Sequence, residues 1–83
     1  MSWCIYILEC CDKTLYCGIT NNINARLKKH NSGKGSKYVA SRLPAKIVYI
    51  EDTLNRSTAS KREYKIKQLS RKDKLNLIGK YGI

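Results

Sequence analysis

The sequence predicts a small α+β domain in which helices cover a three-stranded antiparallel sheet, in the order β-β-α-(short α)-β-α-α. Three observations lead to this prediction. Two short apolar runs flank a polar turn near the N-terminus, a β-branched run lies in the middle of the chain, and helical segments with capping residues follow. Because 83 residues leave room for one modest core, we expect residues 1–83 to form a single domain.

The first two predicted strands, residues 3–10 and 15–20, form a hairpin. Opposite residues of an antiparallel pair point to the same face of the sheet. Tyr6 and Tyr16 therefore share a face only if the connection has an odd number of residues, and residues 11–13 are the shortest such connection. Both faces of this hairpin are largely apolar, so we expect both to be covered. One face carries Tyr6, Leu8, Tyr16 and Gly18, and the other carries Ile5, Ile7, Leu15, Cys17 and Ile19.

The first helix is predicted directly after this hairpin. Thr20, Asn21 and Asn22 are candidates for its N-cap, and the helix runs to about His30. A flexible basic loop over residues 31–35 ends it.

The second half of the chain supplies the third strand and two more long helices. We expect residues 36–42 to form one or two helical turns. These turns end before Pro44, because the residue ahead of a proline disfavours the helical conformation. Length and β-branching predict a buried strand over residues 45–52. Two helices follow, over about residues 55–69 and 70–78.

The composition indicates a polyanionic partner. Seventeen basic side chains against six acidic ones give a formal net charge of +11. Nucleic acid is the first candidate and an anionic membrane surface is the competitor. Since no segment approaches the ~20 apolar residues of a membrane span and the N-terminus lacks a signal-peptide pattern, we expect a cytoplasmic, soluble protein without membrane association. We also expect a monomer.

The four cysteines do not favour a metal cluster or a disulfide framework. None of them forms a Cys-x-x-Cys pair, and strand alternation puts Cys4 and Cys10 on one face and Cys17 on the other. We interpret Cys4, Cys10, Cys11 and Cys17 as reduced thiols that act as small apolar residues.

Arg26 and His30 are candidates for a phosphate site. They are four residues apart and share a helix face beside the apolar ridge of Ile23 and Leu27, so we expect them where the helix meets the sheet. A guanidinium suits the charge on a phosphoryl group, and a ring nitrogen suits a hydrogen bond to a tyrosine or to water. The alternative is a solvated basic helix face.

Glu63 is an acid on an otherwise inward helix face. It shares a stripe with Ala59 and Ile66. Acids are almost never fully buried unless they are paired, and a divalent metal is one way to pair them. The alternative is an ordinary surface ion pair with Lys67 at position i+4.

Taken together, these residues resemble the GIY-YIG nuclease superfamily. Residues 4–6 read Cys-Ile-Tyr, residues 16–18 read Tyr-Cys-Gly, and Arg26, His30 and Glu63 follow on later helices. Three further stretches resemble the small stand-alone bacterial group of that superfamily, the YhbQ-like proteins, so the resemblance spans about residues 3–78. These stretches are residues 30–35, Arg42-x-Pro44 and Glu63-x-x-Ile66-Lys67.

The resemblance implies a role for each residue. Tyr6 is the favoured general base that activates water, and Tyr16 positions that water or a phosphate oxygen. Arg26 stabilises the charge of the transition state, and His30 hydrogen-bonds a tyrosine or assists proton transfer. Glu63 holds one divalent ion, Mg²⁺ or Mn²⁺, which polarises the phosphate.

The chain also departs from the family pattern. Cys4 stands in place of a glycine and Cys17 in place of an isoleucine. Several nuclease families carry an asparagine after the metal-binding acid, and here Asn76 is only a distant candidate. Better-known members are targeted by appended DNA-binding domains, and we expect no such domain here.

Contact with nucleic acid is therefore expected from basic residues of the domain itself. No recognition helix or base-reading set stands out, so we expect binding guided by shape and charge, to DNA rather than RNA. If about six side chains neutralise phosphates, duplex affinity falls with salt at a log-log slope of about −5. The predicted contacts are Lys28, Lys29, Lys34, Lys37, Arg42 and Lys67.

Three functional hypotheses remain open. The first is a divalent-metal-dependent nuclease that acts on DNA, with branched, nicked and single-stranded forms as candidate substrates. The second is a non-catalytic nucleic-acid-binding module of the same fold, motivated by the unplaced asparagine and by the expected lack of a targeting domain. The third, a basic adaptor for an acidic protein or membrane surface, gives no reason for Glu63 to lie on an inward face.

Overall fold

The computed structural model describes residues 3–82 as a three-stranded antiparallel sheet with helices on both faces. The elements in chain order are β1 (Trp3–Glu9), β2 (Leu15–Thr20), α1 (Ile23–Asn31), α2 (Lys37–Ala40), β3 (Lys46–Thr53), α3 (Arg56–Lys67) and α4 (Arg71–Tyr81). The strand order is β2-β1-β3, and both pairings are antiparallel. The predicted α+β class and element order are confirmed. Within residues 3–82, no helix has both the length and the apolar character needed to cross a bilayer.

The hairpin has the predicted register. Tyr6 pairs with Gly18 across the two strands. In the turn, the Cys10 N–H donates to the Thr14 carbonyl at 2.9 Å, and Lys13 adopts a left-handed conformation with φ 69°. A three-residue hairpin loop needs one residue in this region, which explains the short connection.

The sheet separates two apolar clusters, and its middle strand β1 is buried on both faces. The residues of β1 alternate between the clusters, as the strand period requires. This confirms the expectation that both faces of the hairpin are covered. The cluster on the α3 side contains Ile5, Ile7, Cys17, Tyr49 and Ile66, and the cluster on the α2 side contains Tyr6, Leu8, Cys10, Val39 and Ala45.

The helix ends differ slightly from the prediction. Asn22 is the N-cap of α1, where its side chain accepts from the Ala25 N–H at 3.1 Å. The last helix continues to Tyr81 instead of ending near residue 78. A glycine inside a helix costs only about 1 kcal/mol, so Gly79 does not stop it, and α4 ends at its C-cap, Gly82.

Asn31 joins the end of α1 to the start of β3. Its side-chain amide donates to the Ala45 carbonyl at 3.1 Å, and its side-chain oxygen accepts from the Ala45 N–H at 3.0 Å. Two hydrogen bonds to one backbone unit hold this end of α1 against the sheet. His30, the preceding residue, is thereby held close to β1.

Candidate active site

The site is built around a buried pair, Tyr6 on β1 and His30 on α1. Their side chains are 2% and 1% exposed, and a hydrogen bond of 2.9 Å joins Tyr6 Oη to His30 Nε2. The other ring nitrogen, His30 Nδ1, is buried and makes no hydrogen bond within the described residues. Tyr6 Oη and His30 Nε2 therefore satisfy each other inside an apolar cluster, whereas Nδ1 does not gain a partner from this pair.

Glycines make room for both rings. Gly18 faces Tyr6 across the strand pair, and a Cβ there would lie 2.5 Å from the Tyr6 Oη. Gly35 packs on His30, where a Cβ would collide with Nδ1 and lie 3.0 Å from the His30 Cα. Any larger residue at either position would have to displace a ring, so the two glycines help to set the pair's geometry.

The surroundings keep both members of the pair neutral. Burial raises the pKa of the Tyr6 phenol well above its usual value, Tyr16 adds to this effect, and the Arg26 guanidinium opposes it. Burial, together with the charges of Arg26 and Lys29, lowers the pKa of His30 below 6.5. At neutral pH the phenol therefore keeps its proton and the imidazole is uncharged.

Tyr16 extends the pair into an aromatic cluster. Its ring centroid lies 5.4 Å from that of His30 and 6.5 Å from that of Tyr6. On its other side it stacks on Tyr38 of α2, with centroids 6.1 Å apart and an interplanar angle of 25°. Tyr16 is half-buried, so it connects the buried pair with the surface.

Glu63 lies on the inward stripe of α3 and also takes part in an ion pair. Ala59 and Ile66 on the same stripe are both fully buried, and 22% of the Glu63 side chain is exposed. The Glu63 carboxylate lies 3.6 Å from the Lys67 ammonium. The acid thus lies on an inward-facing stripe and is paired with Lys67, as the alternative interpretation predicted.

The charge of Glu63 acts on the residues of the hairpin. Burial and then the Glu63 carboxylate raise the pKa of Cys17 to about 11. The same carboxylate contributes to the raised pKa of Tyr6. Glu63 is therefore within electrostatic reach of β1 and β2, but it acts from the α3 face of the sheet, whereas Tyr6 and Tyr16 lie on the opposite face.

Arg26 is placed differently from His30, although the two share a helix face. His30 is buried against the sheet, whereas Arg26 is exposed and not inserted between helix and sheet. The expectation that both lie at this contact is therefore correct only for His30. The Arg26 charge nevertheless opposes the rise in the pKa of Tyr6 and adds to the fall in the pKa of His30, so it acts on the buried pair from the solvent side.

Glu63 can serve as a single protein ligand for a divalent ion. Within residues 3–82, no three His, Cys, Asp or Glu side chains form a cluster that could hold a metal. Mg²⁺ does not need such a cluster, because it usually keeps several waters and binds one or two carboxylates plus substrate phosphates. A half-buried carboxylate whose lysine partner is 53% exposed and 3.6 Å away fits that requirement.

The predicted nucleic-acid contacts fall into two groups. Four of them are exposed on α1, on α2 and in the loop between these helices: Lys28, Lys29, Lys34 and Lys37. The other two are engaged within the protein. Lys67 contacts Glu63, and Arg42 donates to Asp12 at 3.1 Å while its guanidinium lies 4.0 Å from the centroid of the Tyr38 ring.

Two residues beside the site were not predicted from the sequence. Gly35 packs on His30, and Tyr38 stacks on Tyr16. The available signal for Tyr38 was an aromatic residue in a short, basic helical segment, a combination typical of nucleic-acid surfaces. Gly35 lies in the stretch of residues 30–35 that resembles the YhbQ-like proteins, but helical periodicity and turn chemistry do not reveal its contact with His30.

Comparison with known proteins assigns the family. The GIY-YIG catalytic domain family matches residues 2–76. A UPF0213 protein of Syntrophus aciditrophicus is 56% identical over 75 residues, which cover 89% of this chain and 86% of that protein. A UPF0213 protein of Desulfotalea psychrophila is 53% identical over 78 residues, which cover 93% of this chain and 71% of that protein.

Solved structures agree with this assignment. The solution NMR structure of a UPF0213 protein from Bacillus halodurans is 40% identical, with a TM-score of 0.62 over 95% of this chain and 84% of that chain. The NMR structure of a protein from E. faecalis is 37% identical, with a TM-score of 0.66 over 96% of this chain and 85% of that chain. The chain therefore belongs to the GIY-YIG catalytic domain family and, within it, to the UPF0213 proteins.

Proposed function

We propose that this protein is a divalent-metal-dependent endonuclease that hydrolyses phosphodiester bonds of DNA. The observation that carries the proposal is the buried hydrogen bond between Tyr6 Oη and His30 Nε2. It places beside the phenol a ring nitrogen that accepts a proton in the Nδ1–H tautomer, next to the second tyrosine of the family motif. Membership in the GIY-YIG family supports the same reaction class.

The pair suggests how water is activated. A Tyr6 phenol with a raised pKa is a poor base by itself. When the proton of His30 is on Nδ1, Nε2 can accept the Tyr6 proton while Tyr6 Oη takes a proton from water. The water oxygen then bonds to phosphorus, the bond to the leaving oxygen breaks, and the proton held by the pair returns to that oxygen.

The remaining residues act on the phosphate. The exposed Arg26 guanidinium would stabilise negative charge on the phosphoryl oxygens, and Tyr16 would orient one of them or the attacking water. Glu63 would hold one Mg²⁺ or Mn²⁺, which would supply positive charge to polarise the phosphate and stabilise the leaving oxygen.

Affinity for the substrate would come from charge. The net charge of +11 and the exposed lysines on α1, on α2 and in their connecting loop favour contacts with the phosphate backbone. Such contacts carry no sequence information, so we propose binding guided by the shape and charge of DNA.

The test is cleavage of labelled duplex, single-stranded, flap and junction DNA, plus RNA, in Mg²⁺, Mn²⁺ or chelator. Glu63→Gln and Tyr6→Phe should retain binding and lose at least about 100-fold in cleavage rate. Glu9→Gln is the matched control, because Glu9 pairs with Lys46 at 3.5 Å at the far end of β1. Cleavage by Glu63→Gln or Tyr6→Phe at the parent rate would refute the proposal.

A second candidate is a non-catalytic nucleic-acid-binding module. Two observations favour it. Lys67 already pairs with the Glu63 carboxylate, and burial keeps the Tyr6 phenol protonated. This candidate predicts salt-sensitive binding of DNA without metal-dependent cleavage of any substrate form.

A further inference from the structure

A cleft of about 310 Å³ adjoins the candidate active site. It lies where the edge strand β2 meets α2, the end of α3 and the start of α4. One of its lining residues is Tyr16, so the cleft opens beside the buried Tyr6 and His30 pair. The lining residues are Leu15, Tyr16, Cys17, Tyr38, Lys67 and Lys74.

One wall of the cleft is aromatic and held in place. Tyr38 is 39% exposed, and its ring stacks on Tyr16 with an offset, since the centroids are 6.1 Å apart. The guanidinium of Arg42 lies 4.0 Å from the Tyr38 centroid and is anchored by Asp12 at 3.1 Å. The exposed tyrosine is therefore ordered before any ligand binds.

The opposite wall is cationic. It carries Lys67 and Lys74, and the charges of both lysines oppose the rise in the pKa of Cys17, which also lines the cleft. Lys67 lies 3.6 Å from the Glu63 carboxylate. A phosphate held by these ammonium groups would therefore lie next to the proposed metal ligand.

This combination fits a nucleotide that is outside a duplex. In a duplex the faces of the bases are stacked on their neighbours, so that only phosphates, sugars and base edges are offered to a protein. An unpaired nucleotide also exposes the face of its base, which stacks on aromatic side chains while the backbone contacts lysines. An aromatic wall opposite two lysines would contribute little to blunt duplex binding.

We infer that the cleft binds one unpaired nucleotide of the DNA strand next to the scissile phosphate, and that Tyr38 and Lys74 select substrates with a single-stranded segment. This inference rests on the proposed nuclease function, since it specifies the substrate class of the same site. It predicts the order of affinity as single-stranded or flapped DNA above blunt duplex.

The experiment measures binding of the full chain to three fluorescent DNAs in chelator, where cleavage is blocked. These are a single strand, the blunt duplex of the same sequence, and that duplex with a single-stranded flap. Tyr38→Ala should weaken binding of the single strand and the flap about tenfold and binding of the blunt duplex less than about twofold. Tyr38→Phe, which keeps the ring, should bind like the parent.

The matched control lies on the outer face of α3, where Tyr64 and Lys61 line a second shallow cleft and Tyr64 is 66% exposed. Tyr64→Ala should leave single-strand affinity unchanged. Lys74→Ala should reduce the log-log salt slope for the single strand by about 0.7, which is the value for one phosphate contact. Alanine is a strong helix former, so this exchange should preserve α4. Lys61→Ala should not change this slope.

Equal losses on single-stranded and blunt DNA, or equal effects of Tyr38→Ala and Tyr64→Ala, would overturn the inference. The outcome is separable from that of the proposed function. If Tyr38→Ala selectively loses single-strand binding while Glu63→Gln cleaves as fast as the parent, the nuclease proposal fails and the cleft assignment holds. If Glu63→Gln loses cleavage and the parent binds all three DNAs equally, the nuclease proposal holds and the cleft assignment fails.

Discussion

Gly35→Ala is expected to break the hydrogen bond between Tyr6 and His30 and to destabilise the protein. The new Cβ would collide with His30 Nδ1 and lie 3.0 Å from both the Cα and the Cε1 of His30. Because one of these atoms is helix backbone, a simple rotation of the ring cannot relieve the overlap. Overpacking costs about 1–3 kcal/mol and a lost buried hydrogen bond about 0.5–1.5 kcal/mol, so we expect a loss of roughly 1.5–4.5 kcal/mol.

Urea unfolding measures this loss, and Gly79→Ala is the matched control. Gly79 lies in α4 with no atom within 4 Å of its added Cβ, so alanine should stabilise the protein by about 0.5–1 kcal/mol. His30 is the chain's single histidine, so its ring ¹⁵N shifts report directly on the pair. A Gly35→Ala variant with parental unfolding free energy and parental His30 shifts would refute the reasoning.

Three further predictions concern the same region. Since burial lowers the pKa of His30, the unfolded chain binds more protons, so stability should fall as pH drops from about 6.5 toward 5. His30→Gln should flatten that profile in urea titrations. Asn31→Ala should lose about 1–3 kcal/mol of unfolding free energy with its two hydrogen bonds to Ala45, whereas the exposed Asn24→Ala should not. Tyr6→Phe leaves the buried Nε2 unpaired and should cost about 1–3 kcal/mol, and an unchanged unfolding midpoint would contradict the hydrogen bond.

The hairpin illustrates what local rules can predict. Strand alternation requires an odd loop length, because a shift of one residue would move every side chain to the wrong face, and the shortest odd loop then pairs Tyr6 with Gly18. The end of α4 was harder to predict, since helix ends depend on differences of about 1 kcal/mol or less. A single glycine at residue 79 did not outweigh the rest of the helix.

The site shows where spacing stops being informative. Arg26 and His30 share a helix face by sequence, yet only His30 is buried. The difference comes from contacts made by distant segments: Gly35 covers the imidazole, and Asn31 holds the end of α1 on β3. Neither contact follows from helical periodicity.

The sequence alone determined the α+β class, the register of the hairpin, the coverage of both sheet faces and the identity of the family. These properties depend on alternation, turn chemistry and the order of motifs, all of which follow from residue types and their positions along the chain. The tertiary structure decided that Tyr6 and His30, which lie 24 residues apart, share one buried hydrogen bond. It also decided that Tyr38 stacks on Tyr16 beside two lysines. Burial and close contact between distant segments are set by the packing of the whole chain, so they have no counterpart in residue spacing.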